Sequence, residues 1–220
     1  MKYLHWNQET VTDLSPQNIT HMYQDGYLFT RINRGVMQQT RSIRINLGIF
    51  EITSENRRIL KKGEDIQIEE FPIPYFHYDW QIGKIAKDFY DKKAPSSFTV
   101  NKIKTLLTSN HNFNKLLKYS DIGYVIAYEN SHIIHYCYPF YDIEKSPKDM
   151  GLIMMTKAIV EAKTKNLSYI YLGSLQRPSD AYKLQFQGIE WFDGHLWRHD
   201  IDEAKFILKN LVHTNSEENE

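Results

Sequence analysis

A short apolar strand in this sequence ends in small residues and is followed closely by a tyrosine and a lysine. The stretch YIYLGSLQRPSDAYKLQF covers residues 169–186. Unpaired backbone groups at a strand end can bind polar atoms of a ligand, and Gly173 lets a ligand approach the backbone closely. Tyr182 offers a hydroxyl for proton transfer or a ring for stacking on a base, and Lys183 offers a cation for phosphates. Gly173, Ser174 and Tyr182 are therefore candidate catalytic positions; the alternatives are a routine turn at 172–174 and core packing of Tyr182.

A second candidate for chemistry is a cluster of cations that the sequence places on one helix. It comprises Arg57, Arg58, Lys61 and Lys62. On a helix, residues 57 and 61 are stacked neighbours, as are 58 and 62. Such a patch suits phosphates, and the alternative is a solvated helix face. Arg31 and Arg44 are further candidates for phosphate contacts, although Arg44 fits an anchor for an acidic partner equally well.

Composition narrows the classes of protein. The chain has 220 residues, 41% of them apolar, and a formal net charge of zero, so any nucleic-acid binding must come from a local patch. The single cysteine, Cys137, excludes a disulfide framework and favours a reducing, cytoplasmic setting. His132, His135 and Cys137 fit core residues better than metal ligands, so we expect no metal. No signal peptide or membrane span is evident, and no membrane partner is expected.

Local patterns predict an α+β protein with a mixed sheet. A half-buried strand is predicted over 40–52, and Ser54 is the predicted N-cap of a helix that ends near Gly63. From Tyr124 onward the predicted order is strand, strand, helix, strand, helix, strand. This order resembles the core of the GCN5-related N-acetyltransferase fold. We accordingly expect an N-terminal region at 1–95 with the basic helix, an acyltransferase-like domain at 96–210 and a disordered tail at 211–220.

Five stretches resemble one family in matching order. They are RINLGIFEITSENRRILKK at 44–62, GYVIAY at 123–128, YPFYDIEKSPKDMGLIMMTKAI from residue 138, LSYIYLG at 167–173 and YKLQF at 182–186. Together they resemble the arginyl-tRNA–protein transferases and their bacterial leucyltransferase relatives, over about two-thirds of the chain. The family usually carries a cysteine cluster before its Arg-Ile strand, whereas this chain has RGVMQQTRSIR there. A metal or redox role tied to those cysteines should therefore be absent.

The resemblance implies transfer of arginine or leucine from an aminoacyl-tRNA to the N-terminal amine of a protein or peptide. It implies no cofactor, and it places tRNA contacts at the basic helix and Lys183. Two alternatives stay open: an acyl-coenzyme A-dependent N-acyltransferase of the same fold, and a non-catalytic relative that binds tRNA or a protein. The segment PKDMGLIM lacks the Arg/Gln-x-x-Gly-x-Gly/Ala loop that usually holds coenzyme A, which favours the tRNA donor.

Overall fold

The computed structural model describes residues 4–93 and 98–217, which belong to two compact units. The first unit comprises residues 1–51, 130–133 and 166–220, and the second comprises 52–129 and 134–165. Both units combine helices with strands, which confirms the α+β class. The boundary predicted at 95–96 lies outside the described residues. The division also differs from sequential domains, because strands distant in the sequence pair within the first unit.

The secondary structure elements are numbered in chain order. The strands are β1 (Asn7–Thr10), β2 (Tyr27–Phe29), β3 (Val36–Gln39), β4 (Ser42–Asn46), β5 (Ile68–Pro72), β6 (Lys115–Tyr119), β7 (Gly123–Glu129), β8 (Ile133–Tyr141), β9 (Tyr169–Ser174), β10 (Ile189–Phe192) and β11 (Trp197–Arg198). The helices are α1 (Pro16–Gln24), α2 (Ser54–Lys62), α3 (Trp80–Lys93), α4 (Val100–Thr108), α5 (Met150–Thr164) and α6 (Ile201–Glu217), with a 3₁₀ helix at Pro178–Gln185.

In the first unit, two sets of strands pair antiparallel. The small set has the order β1-β3-β2. The larger set has the order β11-β10-β4-β9, in which Ile45 of β4 lies opposite Ile189 on one side and Ile170 on the other. Strand β4 is nearly inaccessible to solvent because it is paired on both sides, and Ile43 and Ile45 are fully buried.

Strand β4 is shorter than the predicted strand over 40–52. It ends at Asn46, whose side-chain oxygen accepts a hydrogen bond from Gly48 N at 3.1 Å. Asn46 O also accepts from Phe50 N at 3.1 Å, which closes a turn. An asparagine side chain that bonds to the backbone two residues later competes with strand pairing. The alternating pattern of the sequence does not reveal this competition.

In the second unit, four strands form an antiparallel meander in the order β8-β7-β6-β5. The two consecutive strands predicted from Tyr124 onward are present as β7 and β8, which pair as a hairpin. Helix α5 belongs to the same unit, and its Met154 carbonyl accepts a hydrogen bond from the buried Tyr119 hydroxyl at 2.9 Å. Burial raises the pKa of Tyr119 well above its ordinary value, so this hydroxyl stays a donor.

Helix α2 begins one residue earlier than predicted. Its N-cap is Thr53 and not Ser54: Asn56 N donates to Thr53 Oγ1 at 3.2 Å, and Thr53 N donates to Asn56 Oδ1 at 3.1 Å. This capping box satisfies two amides at once, which a Ser54 cap would not. The helix ends at Gly63, as predicted, and packs on α5; a Cβ at Gly63 would approach Ile153 Cγ2 to 2.3 Å.

The last helix is longer than expected. Helix α6 continues to Glu217, so the tail predicted at 211–220 is helical as far as the described residues reach. Within the residues that the structure describes, no helix is both long enough and apolar enough to cross a membrane.

Four charged side chains tie the meander to the end of α5. Lys115 Nζ lies 2.9 Å from Glu70 Oε2 and 2.9 Å from Glu129 Oε1. Lys165 Nζ bonds to Glu70 and lies 3.1 Å from Glu129 Oε2. Burial opposes the charge on Glu70, but its hydrogen bonds to Lys165 and Lys115 prevail and lower its pKa. The network therefore holds the Glu70 carboxylate ionised.

We predict that a Glu70→Gln variant is less stable than the wild type near neutral pH, by about 1–3 kcal/mol. The folded pKa of Glu70 lies below its unfolded value, so this stability is present above the unfolded pKa, near ~4.3, and is lost as pH falls through the folded pKa. Urea unfolding from pH 7 to pH 3 should show the two proteins converge in acid. A difference that stays constant with pH would contradict this account.

Candidate functional site

Strand β9 contains a β-bulge at the position that the sequence marks as a break. Ser42 pairs with Ser174, whereas Arg44 pairs with Tyr171, so two steps along β4 are matched by three along β9. Gly173 has φ +83°, a conformation that residues with a side chain rarely adopt. Bulges of this kind re-aim the backbone at the end of a strand and are common beside active sites.

The lysine of the Tyr-Lys pair is held against this bulge. Lys183 Nζ donates to Ser174 O at 3.0 Å and lies 3.1 Å from Asp180 Oδ1. A Cβ built on Gly173 would have Lys183 Nζ as its nearest neighbour, at 3.9 Å, with no other atom within 4 Å. The open space beside Gly173 therefore faces an ammonium group.

Lys183 differs from the exposed cation that the sequence predicts, because its exposed fraction is only 8%. An ammonium so enclosed cannot make the predicted contact with phosphates in the manner of a surface lysine. It can still donate to an atom that occupies the space over Gly173. Ser174, which is also buried, contributes its carbonyl to this arrangement.

Asp180 organises the site, and sequence reasoning missed it. Its Oδ2 accepts from the amides of Gln176 and Arg177, each at 2.9 Å, while Oδ1 binds Lys183. The carboxylate thus fixes the start of the 3₁₀ helix and the ammonium together. The spacing of three residues between Asp180 and Lys183 was the available signal, because opposite charges at that spacing meet on a helix.

Tyr182 lies on the outer side of the 3₁₀ helix. Its exposed fraction is 44%, so the alternative that it packs in the core does not hold. Its carbonyl accepts a hydrogen bond from Gln185 Nε2 at 2.6 Å. Solvent therefore reaches the side chain of this candidate catalytic residue.

Arg44 is enclosed in the first unit instead of facing solvent. Its Nε donates to Glu190 Oε2 at 2.6 Å, and its guanidinium carbon lies 4.0 Å from the Tyr169 ring centroid and 3.8 Å from that of Trp197. Only 7% of Arg44 is exposed. Of the two roles predicted for Arg44, the structure therefore supports the anchor for an acidic partner and not the contact with phosphates.

The same arginine also bonds to Tyr171. Arg44 Nη1 donates to the Tyr171 hydroxyl at 3.3 Å. Burial raises the pKa of Tyr171 to about 12, although Arg44 acts in the opposite direction, so this phenol stays neutral at physiological pH. Arg31, another predicted phosphate contact, is half-buried in a bend after β2.

The four cations of α2 are not equivalent. Arg58 Nε donates to Glu55 Oε2 at 2.8 Å, and Lys62 Nζ lies 2.6 Å from Asp149 Oδ2. Arg57 donates to Ile52 O at 2.8 Å and has no carboxylate partner among the described residues, and Lys61 has none either. The uncompensated charge of the predicted patch is therefore carried by Arg57 and Lys61, which lie one turn apart.

The N-terminus of α5 is capped by Asp149, the residue that precedes the helix. Asp149 has φ +70° and is the N-cap, and its carbonyl accepts from Leu152 N and Ile153 N, both at 2.9 Å. The Asp149 carboxylate is bound to Lys62, and this hydrogen bond lowers its pKa. The carboxylate at this helix end is therefore ionised and paired with a lysine of α2.

Histidine and cysteine do not form a metal site in the described parts of the chain. Over residues 4–93 and 98–217, no group of three or more His, Cys, Asp or Glu side chains is placed to hold an ion. Burial raises the pKa of the Cys137 thiol well above its ordinary value, which keeps it protonated.

The solved structures that the fold resembles include the following two. One is L-PGS from Bacillus licheniformis, with 12% identity and a TM-score of 0.44, over 72% of this chain and 52% of that chain. The other is the C-terminal domain (DUF2156) of a putative lysylphosphatidylglycerol synthetase from Agrobacterium fabrum, with 12% identity and a TM-score of 0.46, over 77% of this chain and 54% of that chain. The chain thus spans about half the length of each. No family model and no curated protein matches the sequence.

We predict that Gly173→Ala lowers the free energy of unfolding by about 1–2 kcal/mol, because alanine is strained at a positive φ. Crowding should not contribute, since the nearest atom is 3.9 Å away. Gly151→Ala is the matched control: it lies in α5 without a positive φ, its nearest neighbour is at 3.6 Å, and it should be neutral or slightly stabilising. Equal effects in urea unfolding would argue against the bulge as the reason for glycine.

Proposed function

We propose that the chain is an aminoacyl-tRNA-dependent aminoacyltransferase that transfers arginine or leucine to the N-terminal amine of a protein or peptide. The observation that carries this proposal is the open space over Gly173 with the Lys183 ammonium at its edge. The ordered family-like stretches of the sequence supply the donor and acceptor classes. The site contributes a cation, a hydroxyl and strand-end backbone, which are the groups that acyl transfer requires.

The reaction needs little covalent help from the protein, because the ester of an aminoacyl-tRNA is already activated. The acceptor amine attacks the ester carbonyl carbon, and the carbonyl oxygen becomes an oxyanion. Collapse of this intermediate breaks the bond between the carbonyl carbon and the ribose oxygen and leaves the amide. The proton lost by the amine is transferred to the ribose oxygen, which becomes a hydroxyl. Preorganised donors aimed at the oxyanion stabilise this step most.

We assign the oxyanion to Lys183, whose ammonium is fixed by Ser174 O and Asp180 before the substrate arrives. Tyr182, exposed beside it, is the candidate relay for the proton that moves from the amine to the ribose oxygen. Gly173 leaves the room that the acyl group would occupy. The two cations Arg57 and Lys61 are the proposed phosphate contacts of the tRNA.

The start of α5 disfavours coenzyme A as the donor. Residues 147–154, PKDMGLIM, lack the Arg/Gln-x-x-Gly-x-Gly/Ala loop that usually holds coenzyme A. We therefore expect no rise in melting temperature on addition of coenzyme A or acetyl-coenzyme A.

We predict that the protein modifies peptides when it is incubated with charged tRNA pools and peptides bearing each N-terminal residue, read out as mass shifts. Lys183→Met, which keeps the aliphatic stem, should slow transfer by roughly 10²–10³, the range for loss of one oxyanion donor. Tyr182→Phe should slow transfer without weakening donor binding, because only the proton relay is lost.

Asp180→Asn is the matched variant for Lys183→Met, since it keeps an oxygen for the two backbone amides and removes the charge that orients the ammonium. It should lower the transfer rate less than Lys183→Met does. Because Lys183 is buried, its replacement can destabilise the fold. Each variant is therefore assayed at a temperature at which circular dichroism shows it folded. Full activity in folded Lys183→Met would contradict the assigned role, and absence of any mass shift with the wild type would contradict the function.

We further predict that the double variant Arg57→Glu/Lys61→Glu weakens tRNA binding and lowers the slope of log affinity against log salt by roughly 2, one unit for each phosphate contact. The pair Arg58→Glu/Lys62→Glu should change the slope less, because Glu55 and Asp149 already compensate those cations.

The control for this measurement is Lys84→Glu/Lys87→Glu on α3, which changes net charge equally at exposed residues of another helix. Fluorescence anisotropy of labelled tRNA at several salt concentrations gives both quantities. If the α3 variant and the Arg57/Lys61 variant weaken binding to the same extent, the effect reflects net charge and the assigned patch is wrong.

A further inference from the structure

The second unit has a surface cleft that the proposed transfer site does not use. Its volume is about 610 Å³, within the usual range for sites that bind small ligands or ligand-sized parts of larger molecules. The segment between β5 and α3 supplies one wall, and helix α4 supplies the other. The lining residues are Pro74, Tyr75, Phe76, Tyr78, Asp79, Trp80, Val100, Asn101, Lys104 and Thr108.

Two large aromatic side chains of this cleft are exposed to solvent. Phe76 is 90% exposed, the highest value among the large apolar residues described, and Trp80 is 65% exposed. Tyr75 beside them is buried, with its ring edge against Phe71 at 5.2 Å, so it fixes the segment that carries Phe76. Two exposed aromatic rings on a fixed backbone are a costly arrangement for a surface that binds nothing.

The segment is also held by close packing on both walls. The Tyr78 hydroxyl and Val100 Cγ1 both approach Gly83 of α3, where an added Cβ would lie 2.4 Å and 2.8 Å from them. Asp79 Oδ1 accepts from Gln81 N at 2.6 Å and caps the start of α3. The aromatic rings therefore lie on a backbone whose position is set before any ligand binds.

Polar groups of α4 line the opposite wall. Asn101, Lys104 and Thr108 follow helical spacing on one side of α4, while Ile103 and Leu107 on another side are buried. The Lys104 ammonium has no ion pair or hydrogen bond within the described part of the chain. The Asp79 carboxylate is engaged with the amides of α3, so it does not hold the Lys104 ammonium in an ion pair.

This combination of groups fits one kind of occupant. Aromatic rings that stand free stack on nucleobases of any identity, and a neighbouring lysine binds the phosphate that links them. An amide such as Asn101 can hydrogen-bond to a base edge. An uncharged aliphatic ligand would leave Lys104 and Asn101 without a role in the cleft.

We propose that the cleft binds a single-stranded segment of an RNA, with Phe76 and Trp80 as the stacking platform and Lys104 as the phosphate contact. The identification of that RNA as the tRNA donor rests on the function proposed above. The binding itself needs no aminoacyl group and no transfer, so the two claims can fail separately.

The test is fluorescence anisotropy with a labelled hexaribonucleotide that ends in CCA and carries no amino acid. Phe76→Ala and Trp80→Ala should each weaken binding by roughly 5- to 100-fold, the range for loss of one base stack. Lys104→Ala should lower the salt slope by about 0.7, the value for one contact on a single strand. The matched controls are Phe206→Ala, which removes another exposed ring, and Lys209→Ala, which removes another exposed lysine, both on α6.

Wild-type binding that depends on Phe76 and Trp80 but not on Phe206 supports the proposal. The proposal is overturned if the wild type does not bind the oligonucleotide. It is also overturned if Phe76→Ala and Trp80→Ala bind it as tightly as the wild type does. The Trp80→Phe variant identifies the part of the tryptophan emission that comes from Trp80. If this emission shifts to the blue with anionic vesicles but not with the oligonucleotide, the proposal is overturned and the surface binds lipid. Oligonucleotide binding through the cleft without any amino-acid transfer would leave this inference standing and remove the proposed function.

Discussion

Strand β9 accommodates an extra residue near its end because residue 173 has no side chain. The positive φ of Gly173 shifts the register against β4 and turns the Ser174 carbonyl toward the 3₁₀ helix. That carbonyl, together with Asp180, fixes the Lys183 ammonium, which would otherwise be expensive to bury. The open space and its cation both depend on this one backbone conformation.

The sequence predicted the features that local chemistry determines. The break at 172–174 and the order strand, strand, helix from Tyr124 onward lie where short-range patterns placed them. It did not predict the burial of Lys183, because the acceptor of that lysine exists only once the bulge has formed. Nor could it choose between two roles for Arg44, whose partner Glu190 is 146 residues away in the chain and becomes its neighbour only when β4 pairs with β10.

The sequence gives the number of charged residues on a helix but does not show which of them are paired in the folded protein. Four cations on α2 predicted a strong patch, yet Glu55 and Asp149 compensate two of them, and one of these carboxylates lies 87 residues from its partner. The aromatic cleft shows the opposite case. The exposed rings of Phe76 and Trp80 gain significance only from the face of α4 that lines the same cleft. For the cations of α2 and for the aromatic cleft, the inferred function depends on which residues, distant in the sequence, become neighbours in the fold.

The central claim is that an aminoacyl group lies over Gly173 with its carbonyl oxygen at Lys183. A crystal structure with an aminoacyl-adenosine in which an amide replaces the labile ester tests this claim directly. The account predicts the carbonyl oxygen within about 2.7–3.2 Å of Lys183 Nζ, the distance of a hydrogen bond, and the acyl group in the space beside Gly173. An analogue bound with its carbonyl away from Lys183, while the Lys183–Ser174 hydrogen bond stays intact, would contradict it.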